Sequence, residues 1–146
     1  MFTPPSARAA SAYRTLSIQG GVEGASPHQL VSMLFDGVLQ SINAARGALA
    51  RGDVPAKGQS IGRAVNVLED GLKASLNDAE GGEVAANLRK LYDYCVARLT
   101  YANLRNDDAA LAEVAALIQP VAQGWKLMGE QAGGKPQFAP AAAAGA

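Results

Sequence analysis

Segment 81–107 carries the helical repeat that most constrains how this chain folds. Its apolar residues recur at spacings of three and four, which keeps one face of an α-helix buried. That face is formed by Val84, Leu88, Leu91, Cys95, Leu99 and Ala102. A second set, which lies about 100° around the same helix, comprises Asn87, Tyr94, Arg98 and Tyr101. Two large aromatic side chains and an arginine beside the core-facing stripe predict a surface that holds a partner.

Another long helix is predicted to begin at Pro27. Ser26 can act as the N-cap, Pro27 suits the first helical position, and Gln29 completes a capping box. Together these three residues define a helix start. Apolar residues then recur at helical spacing over residues 30–49, and the stretch 52–55 is expected to end the helix.

Two further helices are predicted from the same spacing. The first has an apolar face formed by Ile61, Val65, Leu68, Leu72 and Leu76. It is expected to end in the turn-forming stretch 77–82. The last helix has N-cap chemistry at residues 106–108 and contains Pro120, which is expected to bend it. Four amphipathic helices joined by short turns, with no strand pattern, predict an all-α fold, an antiparallel four-helix bundle.

One domain with less ordered ends is the expected organisation. Residues 1–25 are expected to form a flexible N-terminal segment with a short docking helix, and residues 26–132 the helical bundle. Residues 133–146, rich in Ala, Pro and Gly, are expected to be a disordered tail. Tyr13 and Leu16 lie on one side of the short N-terminal helix. A helix of this length is unstable alone, so it is expected to dock on the bundle.

The charge balance argues against two classes of partner. Lysine plus arginine equals aspartate plus glutamate at 13 each in 146 residues, for a formal net charge of zero. Nucleic acids and anionic membrane surfaces require a clustered positive excess, so neither is an expected partner. No segment approaches the roughly 20 apolar residues of a membrane span, and no signal peptide is expected. The single cysteine cannot form an internal disulfide, which favours the cytoplasm.

Catalytic chemistry has no support in the sequence. His28 is the single histidine, so a two-histidine metal site is excluded, and its place in a first helical turn favours an exposed, solvated side chain. Cys95 lies in the core pattern of its helix and is expected to be a small buried hydrophobe. Capping and solvation explain three clustered carboxylates better than acid–base catalysis does: Asp107, Asp108 and Glu113. We therefore expect no enzyme activity, no metal and no cofactor.

Several short motifs follow one another in a specific order. They include AY at 12–13, ASP at 25–27, MLFDG at 33–37, GGE at 81–83, NL at 87–88, LYDY at 91–94, RL at 98–99, AN at 102–103 and Trp125. In this order and spacing they closely resemble the flagellin-export chaperone family, FliS. Two departures keep an apolar core residue: Phe35 stands where the family usually has tyrosine, and Cys95 where methionine is common. Pro120 is unusual for the family.

The resemblance implies an antiparallel helical bundle that holds newly made flagellin in the cytoplasm. Proteins of this family bind the disordered C-terminal segment of flagellin, prevent premature polymerisation and assist delivery to the flagellar type III export gate. Their short N-terminal segment can lie over part of the binding surface when the client is absent. Tyr13 and Leu16 are therefore expected to cover the client groove, with simple packing of Tyr13 as the alternative.

Residues of the third predicted helix are the expected contacts with flagellin. Three apolar and three polar contacts are expected: Tyr94, Tyr101, Leu104, Asn87, Arg98 and Asn103. The polar side chains would hold the client's backbone or carboxylates. The alternative for the tyrosines is packing against a neighbouring helix with their hydroxyls at the rim. Asp36 and Asp93 are expected to cap or pair within the bundle rather than to touch the client.

Two other function classes fit a four-helix bundle. A histidine phosphotransfer module would need His28 as an exposed, phosphorylated residue in mid-helix, whereas this histidine starts a helix. A structural oligomer would pair its exposed faces with one another, and the free protein is a possible homodimer. Incubation with a phosphorylated response regulator tests the first class, and light scattering with and without flagellin tests the second.

Overall fold

The computed structural model describes residues 24–133, and four α-helices account for most of them. In chain order the elements are α1 Pro27–Ala50, α2 Val54–Asn66, a π-helical segment Val67–Lys73 that continues α2, α3 Asp78–Arg105 and α4 Asp108–Gly133. No strand is present in this part of the chain, so the predicted all-α fold is confirmed. Tyr13, Leu16 and the tail after residue 133 lie outside the described residues.

Side-chain caps begin the helices close to where the sequence predicts them. At α1, the Ser26 hydroxyl accepts a hydrogen bond from the Gln29 amide at 3.1 Å, and the Gln29 side chain accepts one from the Ser26 amide at 2.8 Å. This reciprocal pair is the predicted capping box. The other three α-helices are capped by the side chains of Asp53, Asn77 and Asp107.

Hydrogen bonds between opposite ends of neighbouring helices show that these helices run antiparallel. Trp125, in the last third of α4, donates to the carbonyl of His28 in the first turn of α1. Lys57, in the first turn of α2, donates to the carbonyl of Asn103 near the end of α3 at 2.8 Å. α1 packs against α2 and α4, and α3 packs against α4 and the π-helical segment. The four helices therefore enclose a common core.

The core is formed by the apolar stripes of all four helices. Its largest fully buried side chains include Tyr92, Phe35, Leu34, Ile42, Ile61, Leu68, Leu99, Leu111 and Ile118. Cys95 is also fully buried, as predicted. Burial of such side chains removes apolar surface from water, which is the main favourable free energy of folding.

The start of α3 differs from the prediction. Asn77 caps the helix and a first turn begins at Asp78, but Gly82 then adopts φ 54° and ψ −124° and kinks the chain. Val84, predicted to lie in the core, is instead 66% exposed, and Ala85 is buried beside it. Val84 follows the kink, on the regular part of α3, where the buried residues are Ala85, Tyr92, Cys95, Leu99 and Ala102. The buried stripe therefore runs through Ala85 and Tyr92, beside the predicted line through Val84, Leu88 and Leu91.

The π-helical segment was not predicted from the sequence. Its wider turn still buries Leu68 and Leu72, so the apolar face of the second predicted helix continues through it. The Ser75 hydroxyl donates to the Gly71 carbonyl at 2.7 Å, just past the segment's end. α4 runs through Pro120 as one helix, with this proline exposed.

Candidate functional site

An apolar groove of about 510 Å³ opens at the end of the bundle where α3 begins and α4 ends. Helices α1, α3 and α4, the π-helical segment and the connection after it contribute to its wall. The lining residues are Val31, Phe35, Leu72, Ser75, Leu76, Asn77, Glu80, Gly81, Val84, Ala85, Leu88, Tyr92, Val121, Gly124, Trp125 and Met128. Glu80 is the one charged residue among them. This surface is suited to apolar side chains of a partner.

The groove has a buried floor and an exposed rim. Phe35 and Tyr92 form the floor, and each is 2% exposed. Burial raises the pKa of Tyr92, so its phenol stays neutral and the floor stays uncharged. Val84 and Met128 lie at the rim, 66% and 58% exposed. Large apolar side chains exposed beside a concave apolar surface are typical of a binding site.

Local backbone features help to keep the groove open. The kink at Gly82 turns the chain just before Val84 reaches the rim. A Cβ placed on Gly124, which lines the groove, would meet no atom within 4 Å. The sequence gives turn and glycine signals at these positions, but no signal that the space between them is left unfilled.

A second exposed surface lies on α3 and contains three predicted contact residues, Tyr94, Arg98 and Tyr101; we call it the aromatic ridge. Tyr94 is 45% exposed and Tyr101 41%. The Arg98 guanidinium lies 4.8 Å from the centre of the Tyr101 ring, a cation–π contact. On α3 the ridge is about 120° from groove residue Leu88, so the two surfaces face different directions.

Glu113 on α4 fixes two members of the aromatic ridge. Its carboxylate accepts a hydrogen bond of 2.5 Å from the Tyr94 hydroxyl and one of 2.8 Å from Arg98 Nε. These two bonds hold the pKa of Glu113 below its ordinary value. The bond from Tyr94 to Glu113 also raises the pKa of Tyr94. Since Arg98 is already paired, the ridge presents aromatic ring faces rather than a free positive charge.

The other predicted contact residues lie on α3 but not in the groove. Asn87 is exposed, and Leu104 is 77% exposed near the end of the helix. Asn103 is exposed, while its main-chain carbonyl accepts a bond from Lys57. Lys57 itself is only 2% exposed, and its ammonium also donates to the Asn106 side chain at 2.5 Å. This buried lysine, which sequence analysis did not single out, donates hydrogen bonds to acceptors at the C-terminus of α3.

The prediction that His28 is exposed and solvated was wrong. The His28 ring is half-buried and stacks on the Trp125 indole, with ring centres 4.3 Å apart and planes 5° from parallel. His28 Nε2 lies 2.7 Å from the Trp125 carbonyl oxygen, which can only accept, so Nε2 carries the proton. Helical spacing places His28 in a first turn but gives no information on what packs over it.

Asp36 and Asp93 pair within the bundle, as predicted. Asp36 accepts from Lys126 at 2.8 Å, and Asp93 accepts from Lys73 at 2.7 Å. Burial raises the pKa of the Cys95 thiol to about 11, which removes its nucleophilic form at neutral pH. Within residues 24–133, no cluster of His, Cys, Asp or Glu could hold a metal ion. None of the helices there is both long and apolar enough to cross a membrane.

Comparison with known proteins identifies relatives over most of the chain. Residues 9–132 match the family described as flagellar protein FliS. The chain is 47% identical over 121 residues to the flagellar secretion chaperone FliS of Salmonella typhimurium, covering 83% of this chain and 90% of that relative. It is 42% identical over 118 residues to the flagellar secretion chaperone FliSB of Pseudomonas aeruginosa, covering 81% and 93%. For FliS of Bacillus subtilis the identity is 33% over 108 residues, covering 74% and 79%.

Proposed function

Because this chain belongs to the FliS family of flagellar proteins, we propose that it binds the disordered C-terminal segment of flagellin one to one. It acts in the cytoplasm as a flagellar export chaperone, without enzyme activity. Binding prevents flagellin from polymerising early and assists its delivery to components of the export gate. Tyr13 and Leu16 of the N-terminal segment cover part of the client surface until flagellin arrives.

The observation that carries this proposal is the apolar groove with its exposed rim. A disordered client loses chain entropy when it binds, so its chaperone must offer enough apolar surface to compensate. Amphipathic segments laid in grooves between helices are a common solution. The groove offers a buried floor at Phe35 and Tyr92 and exposed contacts at Val84 and Met128.

The aromatic ridge extends the client surface along α3. Tyr94 and Tyr101 are seven residues apart and therefore nearly superposed along the helix. A client that leaves the groove can continue over their exposed rings and reach Leu104, 77% exposed. Asn87 and Asn103 hold the client's backbone along this path, and Arg98, whose Nε is bonded to Glu113, offers its remaining guanidinium N–H groups to the client's carbonyls. The groove and the aromatic ridge together offer a longer binding surface for an extended client segment than the groove alone.

The test is binding of a flagellin C-terminal peptide to the full chain and to two matched variants. Val84→Glu puts a charge on the groove rim. The fold should stay intact because the side chain at this position is exposed. Val54→Glu is the control, since Val54 is 50% exposed at the start of α2 and does not line the groove. We expect about tenfold or more weaker binding for Val84→Glu and no change for Val54→Glu. Equal binding by the two variants would remove the groove from the client site.

The other two function classes receive less support. Phosphotransfer requires an accessible imidazole, whereas the His28 ring is stacked on Trp125 and its Nε2 is bonded to the Trp125 carbonyl. A structural oligomer would cover the aromatic ridge with a second copy of the chain. Light scattering distinguishes the two arrangements. For a client chaperone, the mass of the particle should rise by one flagellin when flagellin is added. For a structural oligomer, the mass should fall or stay the same.

A further inference from the structure

His28 and Trp125 form a reciprocal contact between α1 and α4, which we call the clasp. Each side chain bonds to the main chain of the other residue: His28 Nε2 to the Trp125 carbonyl at 2.7 Å, and Trp125 Nε1 to the His28 carbonyl at 3.0 Å. Their rings are also stacked in parallel at 4.3 Å. Two hydrogen bonds and a stack restrict both the position and the rotation of the indole.

The two members of the clasp stand in different relations to the groove. Trp125 lines it, whereas His28 lies among a different set of surface residues that includes Ser26, Lys126 and Glu130. His28 therefore contacts the indole without forming part of the groove wall. Any influence of His28 on a molecule in the groove must pass through Trp125.

Gly129 makes the clasp possible. It lies one turn after Trp125 on α4, and a Cβ at this position would overlap His28 Cδ2 and Nε2. The imidazole therefore occupies the space that any larger residue at 129 would fill. Alanine here would push the ring away, and the ring cannot move without losing its stack and its bond to the Trp125 carbonyl.

We propose that His28, with the space left by Gly129, is a positioning residue for client binding: it fixes the Trp125 indole and the spacing of α1 and α4 that define the groove. This inference rests on the proposed function. A preformed wall lowers the ordering cost when the client binds. The groove is lined by Val31 and Phe35 on α1 and by Trp125 and Met128 on α4, so the clasp joins two of the helices that form its wall.

Four variants of the full chain test the inference. His28→Ala removes the ring, and Gly129→Ala displaces it while improving helix propensity. His28→Phe keeps an aromatic ring to stack on the indole but has no nitrogen to bond to the Trp125 carbonyl. Gly62→Ala is the control for helix propensity, because Gly62 is an exposed position within α2 where a Cβ meets nothing within 4 Å.

Two readouts separate positioning from a general effect on stability. Affinity for a flagellin C-terminal peptide is expected to fall by about tenfold or more in His28→Ala and Gly129→Ala, and to stay within about threefold of the original in His28→Phe and Gly62→Ala. Trp125 is the single tryptophan, so its fluorescence reports the clasp directly. Quenching by iodide should increase in the first two variants alone, with helical circular dichroism unchanged.

The outcomes distinguish this inference from the function on which it rests. Unchanged peptide affinity in His28→Ala and Gly129→Ala, with binding by the original chain intact, would overturn the positioning role alone. Weaker binding by His28→Ala without any increase in iodide quenching would also overturn it, because the indole would then be held without His28. Lack of binding by the original chain would overturn the proposed function and the inference together.

Discussion

The Tyr94 hydroxyl donates a hydrogen bond of 2.5 Å to the Glu113 carboxylate across the interface between α3 and α4. This bond fixes the hydroxyl end of the Tyr94 side chain, although the residue is 45% exposed. Sequence analysis offered two alternatives for this residue, client contact or packing with the hydroxyl at the rim. In the structure the Tyr94 hydroxyl is bonded at the rim, as the packing alternative requires. The ring remains exposed and is available for contact with a client. An aromatic side chain fixed in this way loses little further freedom when a partner covers it.

Replacing Glu113 by glutamine should lower the Tm at neutral pH, and the loss should disappear in acid. The folded-state pKa of Glu113 lies below its ordinary value of 4.5, because Tyr94 and Arg98 bond to the carboxylate. The stabilisation is therefore complete above pH 4.5 and is lost as the pH falls through the lowered pKa. Thermal unfolding of both proteins from pH 7 to pH 3 measures this. A Tm difference that stays constant over that range would exclude the carboxylate as its source.

Lys57→Met should destabilise the bundle by about 1–3 kcal/mol. The Lys57 ammonium is buried and bonds to the Asn103 carbonyl and the Asn106 side chain, so methionine leaves both acceptors unpaired. Urea unfolding gives the difference, with Lys90→Met as the control because Lys90 is exposed on α3. Equal stability of the two variants would show that the buried amine does not hold the end of α3.

Replacing Tyr94 and Tyr101 together by alanine should weaken binding of the flagellin peptide at least about tenfold, or about 1.4 kcal/mol. The variant loses the binding free energy from burying the apolar area of two rings, which is roughly 25 cal/mol per Å². Helical content should survive, because the core of α3 is formed by Tyr92, Cys95 and Leu99. The matched control changes both tyrosines to phenylalanine, which keeps the rings. Tight binding by the folded double alanine variant would place the client on another face.

Hydrogen exchange in residues 7–18 should change when flagellin binds. Tyr13 and Leu16 are the apolar residues expected to cover the client surface, and a short helix keeps protection only while it is docked. Mass spectrometry of the full chain with and without the C-terminal peptide measures the change. Identical exchange in the two states would reject a covering role for this segment.

The sequence was informative wherever local chemistry decides the structure. Ser26 and Gln29 predicted the capping box at α1, and the apolar spacing predicted the burial of Cys95 and Leu99. The apolar spacing was wrong at Val84, because packing in the assembled bundle selects Ala85 and Tyr92 as the buried positions of α3. Local chemistry also failed at His28, whose environment is set by a residue 97 positions away.

The same division applies to the candidate site. The aromatic ridge could be predicted because Tyr94, Arg98 and Tyr101 lie on one helix, where periodicity relates them. The groove could not be predicted, because it is a space between helices. Trp125 and Met128 have the helical spacing of core residues, and only the assembled bundle shows that the volume in front of them is unfilled.

Calorimetric titration of the full chain with the C-terminal segment of flagellin from the same organism tests the central claim most directly. We predict one-to-one binding with a negative heat-capacity change, because the groove and the aromatic ridge become buried. The fluorescence of Trp125, which lines the groove, should change at the same stoichiometry. Absence of binding by any flagellin of that organism would contradict the account.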